Sequence, residues 1–459
     1  MMARGKKKES ALTPEEKLTQ ALVSDWEQPY EVPKNWCWVR FEKLYEVNPK
    51  NNADDSISAA FIPMEKIEPG MVSSYTYEVQ PWGKARKGHT QFADGDVAFA
   101  KISPCFENRK SMIVADLPNG IGGGTTELIV LRQAAMNQKY TFWFISDEQF
   151  IRGGMATYSG TVGQQRISMD YVRSYPVPVP PITEQQRIVD RVEYLFAKLD
   201  EAKEKAQSVL DSFETRKAAI LHKAFTGELT AKWRAEHDVE DESWHSLNFG
   251  DLIIAAKNGT TVKQNKEKNG YPVTRIETLQ GGTLDFSRLG YIIDPETISP
   301  EDYYMAGDIA FSHINSAAHV GKTALIEAGF LPLIHGMNLL RIRLNEKCIP
   351  EYFVWYSRSA DYKEQILQRI NMAVNQVSIN QKQLKTMPIN VPKTQEQREI
   401  VRILDSLFAK EQQAKEAAEA VLEKIDLLKK SILARAFRGE LGTNDPAEES
   451  AVELLKTIL

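Results

Sequence analysis

The chain has 459 residues, 42% hydrophobic and 26% charged, with 57 basic against 62 acidic side chains and a formal net charge of −5. That length exceeds what one hydrophobic core organises and implies two or three domains, and the balanced charge excludes a protein that binds polyanions merely by being basic. No stretch reaches the roughly eighteen uninterrupted apolar residues of a membrane span, and the opening MMARGKKKES lacks the apolar run of a signal peptide, so a cytoplasmic protein is expected.

Residues 1–29 read as an N-terminal helical arm. From residue 30, short apolar runs (AAFIPM, DVAFAKI, ELIVLR) broken by Gly, Pro, Asn and Asp read as β-strands with turns. YTFWFISDEQFIRGGM at 140–155 adds a helix, giving a globular α/β region over 30–182. Residues 30–175 hold 16 basic and 16 acidic side chains, so this region is near neutral.

A different pattern follows. Ile188, Val192, Leu195, Leu199, Ala202, Ala206, Val209 and Phe213 are spaced 4-3-4-3, the seam of a coiled coil. Pro180 and Pro181 disfavour helix before them, Thr183 with Gln186 predicts a capping box, and Gly227 predicts the stop. A helix over 183–235 results, ended by the acidic link EHDVEDES (236–243).

The second half repeats the first. YPVTRI, DIAFSHI, LLRIRL and the helical EYFVWYSRSADYKEQILQRI make a globular region over 244–393, with 15 basic and 14 acidic residues in 244–388. A second rod spans 394–442. Its seam is Ile400, Leu404, Leu407, Ala414, Ala418, Val421, Ile425, Leu428 and Ile432, with Glu411 as a polar intruder expected at a solvated position. Pro392, Thr394 with Gln397, and Gly439 bound it, and 443–459 is a tail. Some 40 helical residues at 1.5 Å each make a rod roughly 60 Å long. Each rod could lie alone on its own domain, but a heptad with Lys and Glu outside it favours helix pairing.

The two halves align without a gap at an offset of 212: 25 of the 54 positions from 176 to 229 are identical to those from 388 to 441. The same offset pairs GDVAFAKI (95–102) with GDIAFSHI (307–314). The chain is a tandem duplication, and the expected fold class is α+β: two tandem α/β domains separated by two long coiled-coil helices.

Catalytic chemistry finds no foothold. VGKT at 320–323 resembles the end of a P-loop, but that loop needs a glycine where Ser316 stands. The seven histidines form no HExxH cluster, no GxSxG elbow occurs, and the Asn/Asp-Pro-Pro-aromatic tetrapeptide of amino-methyltransferases is absent. Cys37, Cys105 and Cys348 are scattered without a CxxC pair and read as small buried apolar residues. A non-catalytic protein without a metal site is expected.

The arrangement resembles the specificity subunit of type I restriction-modification systems. The tokens are PVPVPPITEQQRIV and PINVPKTQEQREIV opening each rod, LFAK within it, and AFTGELTAKWR and AFRGEL closing it, over about residues 12 to 442. The resemblance implies antiparallel helices holding one recognition domain for each half of a bipartite duplex DNA target, with the helices as ruler. It implies two methyltransferase subunits that bring S-adenosylmethionine and modify adenine, and two motor-nuclease subunits that use ATP and magnesium. No cofactor is expected in this chain.

Phosphate contacts need Lys and Arg, and base edges need forked donors and acceptors. Candidates by type and position are Lys84, Arg86 and Lys87; Lys101, Asn108, Arg109 and Lys110; Lys263, Gln264, Lys266 and Lys268; and His313 with Asn315. Gln165 and Arg166, with Asn375 and Gln376, form a third matched pair before the rods. Each cluster could instead be a solvated turn. The alternative from another class is a coiled-coil scaffold holding two protein-binding β domains.

Overall fold

The computed structural model describes residues 13–133, 136–239, 243–280, 282–373 and 376–458. No helix among them is long and apolar enough to cross a membrane. The chain divides into two compact units, Met1–Lys205 with Ala420–Leu459, and Ala206–Glu419. Both boundaries fall inside long helices, Ile182–Phe225 (44 residues) and Thr394–Ala436 (43 residues). Each unit therefore contains one β-rich domain, the first part of that domain's own helix, and the last part of the other helix.

The first unit is built on a four-stranded antiparallel sheet in the order Tyr45–Val47, Leu128–Gln133, Val97–Ala100, Ser111–Ile113. A second sheet of four strands carries a parallel pair, Ser58–Ile62 with Ile121–Gly124. The second unit repeats the first sheet strand for strand: Ile253–Asn258, Leu339–Leu344, Ile309–Ser312, Thr323–Leu325. Cys37–Arg40 pairs with Pro176–Val179 just before one long helix, and His245–Asn248 pairs with Pro388–Val391 before the other. The mixed α+β class and the duplicated topology match the expectation.

The residues that join helix to domain also obey the offset of 212. In the first unit the helix Gln138–Ile145 packs Tyr140 and Phe144 on Phe437, with ring centroids 5.4 and 5.3 Å apart, and Trp143 on Phe196 at 5.0 Å. In the second, Tyr352 and Tyr356 pack on Phe225 at 5.4 and 5.2 Å, and Trp355 on Phe408 at 4.7 Å. Edge-on aromatic packing of this kind adds to the gain from burial. The phenylalanine of each AF(T/R)GEL motif thus closes the domain that stands before the other helix.

The helix starts differ from the expected capping boxes. Thr183 lies inside its helix and donates to Glu448, while Thr394 donates to the Glu346 carbonyl. The residues that do the work are Gln185 and Gln397, each donating to a proline carbonyl five residues back (Pro180 at 3.0 Å, Pro392 at 2.8 Å) and each accepting a backbone N–H from the domain. Beside them Glu184 and Glu396 are fully buried. Trp36 Nε1 donates to Glu184 at 2.8 Å and Trp244 Nε1 to Glu396 at 3.2 Å. A buried carboxylate needs donors. Glu396 gains Thr230 and Arg234, both at 2.7 Å, from the segment closing the first helix. Among the described residues Glu184 gains only Thr443 in addition, and burial raises its pKa. The helices stop before Gly227 (φ 83°) and Gly439 (φ 72°), as expected for left-handed termini.

Within each unit the helix parts pair antiparallel. In the second, Lys415 lies over the Phe213 ring and Arg216 forks onto Glu411, with Nη2 at 2.8 Å. Glu411 is thus ion-paired rather than merely solvated. In the first, Lys429 meets Asp200 at 2.6 Å and covers Phe196. The buried stripe keeps Ile188, Val192, Ala206, Ile400, Leu404, Ala418 and Ile425 of the expected seam and drifts off it elsewhere: Phe196, Leu433 and Ala436 are buried, Leu195, Leu199, Val209 and Leu407 half-buried, and Val421, Leu428 and Ala414 exposed. A straight helix has 3.6 residues per turn, so a 3.5-residue seam rotates away from its partner.

The tail also docks. Arg187 forks onto Glu448 at 2.8 and 2.7 Å, and the helix Ala451–Ile458 buries Ala451 and Leu455 in the first unit's core.

Phe437→Ala removes a buried ring and should cost about 3–5 kcal/mol, whereas Tyr194→Ala, on an exposed helix face, should change stability by less than about 0.5 kcal/mol; urea unfolding of both variants checks this. Arg187 and Thr183 hold the Glu448 carboxyl down to about 2, against an ordinary 4.5. A depressed folded value stabilises above the unfolded value and is lost as pH falls through the folded one. Stability should therefore fall between about pH 4.5 and 2, and Glu448→Gln should flatten that part of the profile in thermal melts.

Candidate nucleic-acid interface

In each unit a strand of the main sheet runs into a loop that is pinned by a hairpin just ahead of the long helix. In the first, Val97–Ala100 continues into 101–110, where Ile102 bridges Arg166 and Ser103 N donates to the Gln165 carbonyl at 2.8 Å. The hairpin closes by Ser159 bridging Arg166. In the second, Ile309–Ser312 continues into Ile314–Asn315, which pairs with Gln376–Ser378, the inner strand of a hairpin whose other strand is Asn371–Ala373. Ile102 and Ile314, and Arg166 and Ser378, are each 212 residues apart. The structure thus joins two candidate segments, the strand-end loop and the pre-helix pair, into one site in each copy.

The side chains there are varied. Lys101 is half-buried, with no ion-pair partner within 4 Å among the described residues, and Asn108 is exposed. Arg166 is exposed but forks onto Glu127 at 2.9 and 2.7 Å, which lowers the Glu127 pKa. Gln165 is half-buried. In the second unit Asn315 donates from Nδ2 to Ser312 Oγ at 3.2 Å. His313 Nδ1 is buried without a partner among the described residues, and burial pushes the imidazole pKa down. Gln376 is exposed, and Asn375 lies outside the described residues. The hairpins also expose Val162 (89%) and Met372 (79%), apolar groups suited to thymine methyls or base steps.

Two candidates turn inward. Arg109 adopts φ 55°, a left-handed conformation that swings its guanidinium onto the Ser146 carbonyl at 2.9 Å and onto Glu148. Lys110 Nζ donates to the Met64 carbonyl at 2.9 Å. These residues hold the loop to the domain rather than present it to solvent.

The remaining candidates lie elsewhere. Lys84 is on a short helical turn, Trp82–Ala85, packed on the second sheet; Arg86 forks onto Asp55 at 2.7 and 3.0 Å, and Lys87 is exposed. Lys263 and Gln264 line a cavity of about 270 Å³ with Arg275 and Glu277. Lys266 stands 3.9 Å from Glu277, and Lys268 is exposed on a left-handed turn. Sequence reasoning overlooked Lys217, Lys322, Arg358 and Lys363, which line a separate cavity in the second unit.

The sequence profile of the type I restriction modification DNA specificity domain matches residues 36–210 and again residues 241–424. The chain belongs to that family. Two similar relatives are the specificity subunits of the type I restriction enzymes EcoAI and EcoEI of Escherichia coli. Each is 34% identical over 245 residues, 53% of this chain but only 41% and 40% of the relatives' own lengths. Among solved structures, the HsdS subunit from Thermoanaerobacter tengcongensis superposes with a TM-score of 0.68 over 90% of this chain and 99% of that one. At 20% identity that likeness is one of fold. The two specificity domains coincide with the two copies of the site just described.

Because Arg109 is 11% exposed and tied to Glu148, Arg109→Ala should lower stability by about 2–3 kcal/mol and leave the salt dependence of duplex binding unchanged. Urea unfolding and a salt series of binding isotherms check the two halves of that statement.

Proposed function

We propose that this chain gives a type I restriction-modification complex its DNA sequence specificity, each domain reading one half of a bipartite target. The observation that carries the reading is the recurrence, at one offset, of the same loop-plus-hairpin scaffold bearing different side chains: Lys101, Asn108, Gln165 and Arg166 in one copy, His313, Asn315 and Gln376 in the other. A constant backbone with changed donors and acceptors suits two different half-sites.

The paired long helices act as the spacer between half-sites and as the docking site for two methyltransferase subunits. Those subunits bring S-adenosylmethionine and modify adenine; two motor-nuclease subunits, using ATP and magnesium, complete the restriction complex in the cytoplasm. This chain itself binds and positions, and transfers nothing.

Exchanging residues 30–175 or 244–388 for the counterpart of a relative should change one half-site and leave the other half and the spacer intact, as read by single-molecule sequencing of adenine methylation. Inserting one heptad into each long helix should lengthen the spacer by about 10 Å, roughly three base pairs, without altering either half-site. A swap of one segment that altered both half-sites would refute the modular reading.

A further inference from the structure

The repeat allows each cation of one unit to be compared with its counterpart in the other. In the first unit Arg109, Arg152 and Lys430 converge on Glu148, with Arg152 at 2.8 Å and Lys430 at 3.1 Å, and Lys429 meets Asp200 at 2.6 Å. In the second unit both acids are missing: Ala360 stands at the place of Glu148 and Gln412 at that of Asp200, 212 residues on. The place of Arg109 is taken by Gly321, which keeps the same left-handed backbone (φ 80°) without a side chain.

The cations stay. Lys217, counterpart of Lys429, and Lys322, counterpart of Lys110, join Arg358 and Lys363 around a cavity of about 310 Å³, and its lining among the described residues holds no carboxylate. Among the described residues, Lys217 has an acid near it only in Glu214, at a loose 3.9 Å. Arg358 stacks on Trp355 at 4.3 Å and donates from Nη2 to the Gly282 carbonyl at 3.3 Å, its Nε is buried without a hydrogen-bond partner among the described residues, and Asp405, which accepts from Trp355 Nε1, attracts it. Ser359, which caps the helix Ala360–Leu367, and Tyr362, Lys363, Ile366 and Leu367 along that helix also line the cavity.

We infer that this cavity takes a phosphate group, and that the phosphate belongs to the backbone of duplex DNA lying beside residues 313–316. The cavity wall from Ala317 to Thr323 directly continues the loop that carries His313 and Asn315. A phosphate seated there anchors the loop while its neighbours meet base edges. The VGKT stretch, which is no P-loop, supplies Lys322 to this site. The inference rests on the DNA-reading function proposed above.

The test uses the full chain and a fluorescent duplex of arbitrary sequence, with binding followed by anisotropy over a salt series. Two variants are compared with wild type: Ala360→Glu, which restores the first unit's carboxylate at an exposed position favourable for an acid, and the double substitution Lys322→Ala with Lys363→Ala. Matched thermal melts establish that both fold. Both variants should bind about tenfold more weakly, with the salt slope shallower by about one, the signature of one lost phosphate contact. Inorganic phosphate and ADP should show no saturable binding. Unchanged affinity and slope in both variants would overturn the cavity assignment and leave the DNA reading standing. Saturable ADP or phosphate binding that both variants abolish, with duplex slopes unchanged, would overturn the backbone as the source. A wild-type chain that binds no duplex would overturn the proposed function, and this inference with it.

Discussion

The burial of one phenylalanine from the end of each long helix against the aromatic helix of the other repeat's domain is the contact on which the architecture depends. Phe437 fills the space between Tyr140 and Phe144, and Phe225 that between Tyr352 and Tyr356. A few residues further along, Thr443 or Thr230 reaches the buried glutamate at the start of the opposing helix. The end of one rod is thereby the missing wall of the other repeat. This explains why two motifs with no chemistry of their own, TEQQRIV-like and AFxGEL, each occur twice in the chain. They are complementary surfaces. Their energetic logic is ordinary: large rings leave water, and a carboxylate that must be buried is given donors from two directions.

On that shared frame the two units diverge in charge. The first neutralises its own cations internally, through Glu148 and Asp200, and spends Arg109 on holding a loop. The second keeps Lys217, Lys322, Arg358 and Lys363 around open space. A main sheet repeated strand for strand, and a left-handed residue at both 109 and 321, thus support opposite local electrostatics. The near-zero charge balance of each domain hides this difference, because it is a matter of which carboxylate stands beside which amine.

Much of the architecture was legible in the sequence because it is periodic. The offset of 212 marked the duplication, the heptads marked both rods, and alternating apolar runs marked the strands. The errors came where one local pattern was trusted alone. Thr183 with Gln186 and Thr394 with Gln397 satisfy a capping spacing, yet they are not equivalent under the repeat, which pairs Glu184–Gln185 with Glu396–Gln397; the offset itself carried the answer. The seam slipped because a heptad repeat does not follow a straight helix for six turns. For the site, the matched loops at 101 and 313 were visible, but the inward turn of Arg109 depends on a backbone conformation that composition does not reveal. The glycine at its counterpart, Gly321, was the available sign of a left-handed residue.

The exchange of helix ends between repeats also spreads one core across the length of the chain. Translation delivers the first domain before the second, yet the first unit cannot close until residues beyond 420 have been made. Its core waits for Phe437, and Arg187 waits for Glu448, 261 residues away in sequence. The second unit, Ala206–Glu419, lies before them in the chain. The region synthesised first therefore has part of its core supplied by the region synthesised last, and the aromatic face of Tyr140 and Phe144 stays uncovered until Phe437 arrives.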